Sequence, residues 1–171
     1  MTEPAFRVVT VDDAPALVAL RLANREHFQI AEPRQPEVFF TLERQRGLIA
    51  GAEGLMLGAF HGDELIGFAR LSNVVLGAFD NAYLGYMVGR DHNGRGVGTL
   101  LVRHAVQLAW DRRLHRVQAA VRTDNPASLR VMEKAGFRRE GLALRYLNLD
   151  GEWRDHVLHA ITREDPFEPP G

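Results

Sequence analysis

The apolar residues between Val97 and about Arg113 recur at helical spacing. Val97, Leu101, Ala105 and Leu108 fall on one face of a helix, and polar residues occupy most of the other positions. A repeat of three to four residues is typical of an amphipathic helix that packs against a core. The pattern therefore predicts a long helix in the second half of the chain.

Two pairs of apolar runs are separated by turn-forming residues, which is typical of β-hairpins. The first pair is Leu55 to Phe60 and Leu65 to Leu71. The second pair is Arg138 to Leu149 and Trp153 to Thr162, and Asp150-Gly151 between them suits a type I′ turn. We therefore expect two antiparallel hairpins, one before and one after the long helix.

The remaining runs alternate between strand-like and helix-like patterns. The predicted strands are Phe6 to Val11, Ala82 to Gly89 and Arg116 to Val121, and the predicted helices are Asp12 to about His27, Glu37 to about Arg46, and Pro126 to Ala135. Gly136 follows the last helix, as a left-handed helix stop would. Strands and helices in this order predict a layered α/β fold.

Length and composition fit one globular domain. The chain has 171 residues, of which 46% are hydrophobic and 25% charged, values that are ordinary for a folded domain. No repeat or linker divides it. We expect a single domain over residues 1–165, and a frayed, proline-containing tail over residues 166–171.

Charge and cysteine content exclude several classes of protein. A formal net charge of -1 gives no overall field that would attract nucleic acid or a membrane surface. The absence of cysteine excludes disulfides, thiolate metal sites and a cysteine nucleophile. The seven histidines lack the spacing of a metal motif, so no metal is expected. Without an apolar leader or an apolar span, the sequence predicts a cytoplasmic protein.

A glycine-rich turn connects the strand that ends near Gly89 to the long helix. Unpaired amides at a helix N-terminus, together with glycines that admit an anion to the backbone, favour a pyrophosphate. The P-loop pattern fails because Arg95 and Gly96 stand where lysine and a hydroxyl are required. The dinucleotide pattern fails because Gly94, Gly96 and Gly98 alternate. A purely structural glycine turn remains the alternative.

Two segments resemble signatures of one enzyme family. Asn93-Gly94-Arg95-Gly96-Val97-Gly98 resembles the acyl-CoA motif [Q/R]xxGx[G/A], with Asn in the first position. The run from Asn125 through Ser128 to Gly136-Phe137 resembles the Asn-x-x-Ser helix of the same family. The chain is thus similar to the GCN5-related N-acetyltransferases (GNAT), and over residues 60–165 to their ribosomal-protein-alanine N-acetyltransferase branch. The N-terminal third is similar only in the order of its elements.

This resemblance implies a GNAT fold, in which a mixed, mostly antiparallel sheet contains a splayed parallel strand pair and about four helices flank it. It also implies that acetyl-CoA is the acetyl donor and that its pantetheine lies in the gap between the splayed strands. The residues that the resemblance assigns to acetyl-CoA are Tyr86, Met87, Val88, Asn93, Gly94, Arg95, Gly96, Val97, Gly98, Thr99, Asn125 and Ser128. The backbone N–H of Val88 is the expected donor to the thioester carbonyl.

Direct attack by an amine needs a proton acceptor for the amine and a proton donor for the leaving thiolate. We expect Ser128 to be the donor, with Tyr146 as the second candidate. Tyr83 stands where relatives often carry a glutamate base. Three residues, Glu140, Asp155 and His156, could replace it chemically, although each also fits a structural role in a hairpin.

The acceptor is the least determined part of the prediction. The resemblance favours the N-terminal α-amine of a protein, such as a ribosomal protein. The ordinary pKa of an α-amine is about 8, against about 10.4 for lysine, so an α-amine needs little help to lose a proton. A small-molecule amine (an antibiotic, a polyamine or an amino acid) is the first alternative. A non-catalytic acyl-CoA-binding module and a plain nucleotide-binding protein are the others. The chain is expected to be a monomer or a homodimer.

Overall fold

The structure, a computed structural model, describes residues 3–170. Within them, seven strands form one mixed sheet with the order β1-β2-β3-β4-β5-β7-β6. The strands are β1 Ala5–Val8, β2 Met56–His61, β3 Glu64–Val75, β4 Asn81–Val88, β5 Arg116–Arg122, β6 Arg138–Leu149 and β7 Glu152–Thr162. The helices are α1 Ala14–Ala23, α2 Arg25–Phe28, α3 Leu42–Ala50, α4 Val97–Asp111 and α5 Pro126–Lys134. Single 3-10 turns precede α1, α3 and α4.

Two apolar cores lie on opposite faces of the sheet. One lies between the sheet and helices α4 and α5, where Leu101, Val102 and Val106 are fully buried. The other lies between the sheet and helices α1 and α3, and it includes Leu17 and Phe68. This arrangement confirms the predicted GNAT fold, with five helices in place of about four.

Within residues 3–170, β4 and β5 form the one parallel strand pair. The other neighbours are antiparallel, as the two predicted hairpins require. In the turn between β6 and β7, both Asp150 (φ +55°) and Gly151 (φ +86°) are left-handed, and a type I′ turn needs this at both of its central residues. The predicted left-handed stop after α5 is also present, at Gly136 with φ +88°.

Several predicted boundaries were wrong in the first half of the chain. The helix expected from Asp12 to His27 is interrupted at Asn24, and α2 continues as a separate turn. The helix expected from Glu37 begins as a 3-10 turn, and α3 starts only after Thr41, whose hydroxyl accepts from the Arg44 N–H at 3.3 Å. β3 continues to Val75 because its far end pairs with the start of β4.

The C-terminal segment, for which the sequence predicts fraying, contacts helix α4. The ring of Phe167 packs edge-on against Trp110, with 6.4 Å between the ring centroids. Glu168 forms an ion pair with Arg103 at 2.8 Å. Both contacts join the end of the chain to the helix that begins at the glycine-rich turn.

Candidate active site

A gap between β4 and β5 interrupts the centre of the sheet. The two strands pair only at their first residues, from Asn81 opposite Arg116 to Tyr83 opposite Gln118. Beyond this point β4 continues to Val88 with no partner on that side among the described residues. A cavity of about 500 Å³ fills the space between the diverging strands. The backbone of β4 is therefore available there to an extended ligand.

The backbone amide of Val88 faces this gap. The N–H of the following residue, Gly89, donates to the carbonyl of Ile66 on β3 at 2.8 Å. Amide groups of successive residues in a strand point to opposite sides, so the N–H of Val88 points away from β3. The side chain of Val88 lies in the core with α4, whereas Met87 packs against the core on the α1 side. The expected oxyanion donor thus has the required direction.

The glycine-rich turn has the geometry of an anion site. Gly94 (φ +73°) and Gly96 (φ +84°) are left-handed, and a Cβ on either would meet nothing within 4 Å. Gly96 is the N-cap of α4, so the free amides of the first helical turn open onto this space. Arg95 between them is exposed. The turn therefore has room and free amides for a diphosphate, and Val97 and Thr99 belong to the first turn of α4 that follows it.

Gly98 allows a tyrosine of β4 to pack against α4. A Cβ on Gly98 would lie 3.3 Å from the ring of Tyr86 and 3.5 Å from a methyl group of Val131. The hydroxyl of Tyr86 donates to the Ser128 hydroxyl at 2.9 Å. Burial raises the pKa of Tyr86, so this phenol stays protonated at neutral pH. Ser128 consequently has its own hydroxyl hydrogen free to donate into the cavity.

The first turn of α5 fixes Ser128 in this place. The side-chain oxygen of Asn125 accepts the backbone N–H of Ser128 at 3.1 Å, which makes Asn125 the N-cap of the helix. Pro126 occupies the first turn, where no amide hydrogen bond is lost. Asn125 and Ser128 both line the cavity. These two residues can therefore stabilise the start of α5 and also contact a ligand in the cavity.

Tyr146 lies on the other face of the sheet. Its hydroxyl is 3.3 Å from that of Tyr83, and Tyr83 points away from Tyr86 because odd and even residues of a strand face opposite sides. The hydrogen bond with Tyr83, together with burial, raises the pKa of Tyr146 to about 12. Both predicted catalytic residues thus line one cavity, Ser128 on the α5 side and Tyr146 on the α1 side.

Two contacts hold the loop between α2 and α3 over the α1 side of the cavity. The guanidinium of Arg122 donates to the carbonyl of Ile30 at 3.1 Å while it pairs with Asp124. The N–H of Arg34 donates to the carboxylate of Asp150 at 2.7 Å. The loop between α2 and α3 therefore spans from the end of β5 to the β6–β7 turn.

A buried asparagine connects α1 to the glycine-rich turn. The amide nitrogen of Asn24 donates to the carbonyl of Leu20 at 2.9 Å, and its oxygen accepts the N–H of Arg90 at 2.8 Å. Nearby, the amide of Asn93 is 2.8 Å from Nε2 of His27. No sequence pattern indicates this role of Asn24, because a partner 66 residues away leaves no local signal.

Other parts of the described structure offer weaker sites. A cavity of about 830 Å³ lies between α1 and the segment after β4, but it is lined by side chains of both charges and contains no unpaired strand edge. Over residues 3–170, no cluster of histidine and carboxylate side chains is arranged to hold a metal ion. No helix in that range is long and apolar enough to cross a membrane.

The unpaired edge of β4 lies beside the N-terminus of α4, an arrangement that can hold an extended ligand carrying a phosphate group, and comparisons with known proteins identify the class of protein. The family model for the Acetyltransferase (GNAT) family matches residues 18–137, so the chain belongs to this family. It is an acetyl-CoA-dependent acyltransferase. It is 34% identical to the probable N-acetyltransferase YjcK of Bacillus subtilis (strain 168), over 93% of each chain.

Two solved structures are similar to this one. The ribosomal-protein-S5-alanine acetyltransferase of Vibrio fischeri superposes with a TM-score of 0.89 at 25% identity, covering 99% of this chain and 97% of that one. Mycobacterium smegmatis RimJ, in complex with CoA-disulfide, superposes with a TM-score of 0.83 at 34% identity, covering 93% and 81%. The chain is therefore related to enzymes that acetylate ribosomal proteins.

The Asn24 contact generates a prediction about acetyl-CoA binding. Asn24→Ala leaves the part-buried N–H of Arg90 without its partner, at a cost of about 1–1.5 kcal/mol, and frees the turn that precedes α4. We expect the affinity for acetyl-CoA, measured by calorimetry, to fall about tenfold, and amide exchange of residues 89–93 to accelerate.

Asn148→Ala is the matched control, because Asn148 also accepts a backbone N–H, that of Gly151 at 2.8 Å, but in the β6–β7 turn. Its acetyl-CoA affinity should equal that of the wild type. An Asn24→Ala variant with unchanged affinity and unchanged exchange would contradict the role given to this contact.

Proposed function

We propose that the enzyme acetylates the N-terminal α-amine of a protein that begins with a small residue, such as a ribosomal protein. The observation that carries this proposal is the lining of the cavity on its α1 side. On this side its polar atoms come from Tyr83, Tyr146, His156, Ser72 and Arg122, and its apolar atoms include those of Ile30 and Ala31. Among the described residues, no carboxylate lines it.

A cavity wall without carboxylates favours acceptors that carry few positive charges. A polyamine or an aminoglycoside carries several positive charges, and burying them without partners is costly. A peptide N-terminus brings one ammonium group, which becomes neutral before it reacts. The name of the similar Vibrio fischeri protein, a ribosomal-protein-S5-alanine acetyltransferase, supports the same class of acceptor.

The proposed reaction crosses the sheet from one face to the other. The amine approaches from the side of Tyr83 and attacks the thioester carbon, whose oxygen would accept the N–H of Val88. The carbon–sulfur bond then breaks, and the thiolate receives a proton from Ser128 on the α5 side. Tyr86 donates to Ser128 at 2.9 Å and so can replace that proton. The two proton transfers thus occur on opposite faces of the sheet.

The energy of deprotonation favours an α-amine over a lysine. At pH 7 an amine with a pKa near 8 needs about 1.4 kcal/mol to lose its proton, and lysine needs about 4–5 kcal/mol. A site without a carboxylate base is adequate for the first and poor for the second. This difference is a second argument for a protein N-terminus.

Acceptor specificity tests the proposed function. A peptide with a free N-terminal alanine should be acetylated with a kcat/KM at least about 100-fold above that of the same peptide with a blocked N-terminus and one internal lysine. Spermidine is the second comparison, and mass spectrometry locates the acetyl group. Preferential acetylation of spermidine or of the internal lysine would contradict the proposal.

Ser128→Ala tests the proposed proton donor. A thiolate with a pKa near 8.5 leaves fairly well by itself, so we expect kcat to fall about 100-fold, at the low end for general acid catalysis. The affinity for acetyl-CoA should stay within about twofold, because the hydroxyl acts mainly in the transition state.

Ser128→Thr retains the hydroxyl and should keep most of the turnover of the wild type. If Ser128→Ala instead turns over as fast as the wild type, another group protonates the thiolate.

A further inference from the structure

His156 lies on the amine side of the cavity. In β7 it pairs with Arg122 of β5 and with Ala143 of β6. Residues that pair across strands share a face of the sheet, and Arg122 shares its face with Gln118, which pairs with Tyr83. His156 therefore faces the same side as Tyr83, opposite to the core that contains α4.

The ring of His156 is buried but forms part of the cavity wall. Only 3% of the residue is exposed, and it lines the cavity together with Tyr83 and Tyr146. The centroid of its ring is 5.5 Å from that of Tyr146, at an interplanar angle of 55°. The imidazole is thus next to the ring of Tyr146, whose hydroxyl is 3.3 Å from that of Tyr83.

The hydrogen bond of the ring determines which nitrogen carries a lone pair. Nδ1 is 3.0 Å from the backbone carbonyl oxygen of Arg154. A carbonyl oxygen only accepts, so Nδ1 of the neutral ring is the protonated nitrogen, and the lone pair is on Nε2. His156 is therefore fixed as a proton acceptor at Nε2.

The charged groups around His156 are already paired with other partners. Arg122 on β5 pairs with Asp124, and Arg154 on its own strand pairs with Glu152. Asp155 accepts the N–H of Arg145 from β6 at 2.7 Å. Tyr83 of β4 and Tyr146 of β6 are the titratable groups that face the ring across the cavity. Among the described residues, no carboxylate forms a hydrogen bond or an ion pair with the imidazole, whose hydrogen bond is to the carbonyl of Arg154.

The other candidate bases are less suitable. The carboxylate of Glu140 forms ion pairs with Arg116 and Arg138, and the Arg116 pair lowers its pKa. The hydrogen bond to Tyr83 keeps Tyr146 protonated at neutral pH. Imidazole is the side chain whose charge normally changes between about pH 5 and 8, which suits an acceptor that must release its proton again.

We propose that His156 is the general base of the reaction and takes the proton of the acceptor ammonium on Nε2, directly or through the hydroxyls of Tyr83 and Tyr146. The neutral amine then forms the carbon–nitrogen bond, and the carbon–sulfur bond breaks. The nitrogen also loses its second proton when the amide forms, and this loss equals in number the proton that the thiolate gains. The imidazolium releases the first proton to solvent, so each turnover yields one amide, one thiol and one proton.

His156→Asn tests this proposal, because an asparagine amide can still donate to the carbonyl of Arg154 but offers no basic nitrogen. The matched control is His159→Asn. His159 lies on the same strand, with its Nδ1 3.1 Å from the carbonyl of Val157, but it pairs with Ala119 and so faces the opposite side. Both variants are assayed with the alanine peptide from pH 6 to pH 9, and acetyl-CoA affinity is measured alongside.

We expect His156→Asn to lower kcat/KM about 100-fold at pH 6.5, with unchanged acetyl-CoA affinity. The difference in kcat/KM between this variant and the wild type should become smaller toward pH 9, where the free α-amine is already neutral. His159→Asn should keep the pH profile of the wild type. A His156→Asn profile parallel to that of the wild type would overturn the proposal, and His156→Gln provides the same test if the asparagine variant does not fold.

A second measurement is independent of turnover. Nitrogen-15 NMR of the ring in the free protein should show a protonated Nδ1 and a bare Nε2 at pH 8, and the opposite tautomer would overturn the proposal. The proposal rests on the proposed function, but the two can fail separately. If the wild type does not acetylate the peptide, only the proposed acceptor is wrong. The variants are then assayed with the amine that the wild type does acetylate.

Discussion

The separation of β4 from β5 is the constraint on which the rest of this structure depends. A strand in the middle of a sheet normally has both edges hydrogen-bonded, because unpaired buried backbone groups are costly. Here the pairing stops after Tyr83 and Gln118, and the second half of β4 keeps one edge open. The open edge offers backbone N–H and C=O groups with which another extended molecule can pair. In the site that we propose, the pantetheine arm of acetyl-CoA is that molecule.

The surrounding elements hold this gap open and give its two faces different chemistry. α4 and α5 cover one face, where Gly98 makes room for Tyr86 and the cap at Asn125 positions Ser128. The other face is covered by a loop that is held by Arg122 and Asp150. A proton donor for the thiolate and a proton acceptor for the amine therefore need not share one environment. The sheet itself separates them.

The sequence predicted those parts of the fold that are determined by residues close together in the chain. The periodicity of α4, the Asp150-Gly151 turn and the stop at Gly136 each follow from a few adjacent residues. The two motifs around Gly94 and Asn125 indicated the family, and the resemblance to that family implied the splayed strands. Periodicity alone does not indicate that two parallel strands separate.

What the sequence could not predict depends on contacts between distant residues. The break at Asn24 exists because its side chain bonds to Arg90, and no neighbouring residue signals this. Tyr83, Tyr146 and His156 come from three strands, and the order and register of β4, β5, β7 and β6 bring them to one cavity. The choice of His156 over Glu140 or Asp155 therefore required the structure.

Amide hydrogen exchange along β4 tests the central claim most directly. Exchange of Tyr86 and Val88, whose N–H groups point into the gap, is compared in the free protein, with acetyl-CoA and with ADP. The account predicts that acetyl-CoA slows exchange both at these residues and at the glycine-rich turn, whereas ADP slows it at the turn alone. If acetyl-CoA protects the turn and leaves β4 unchanged, the pantetheine does not pair with the open strand edge, and this account of the site is contradicted.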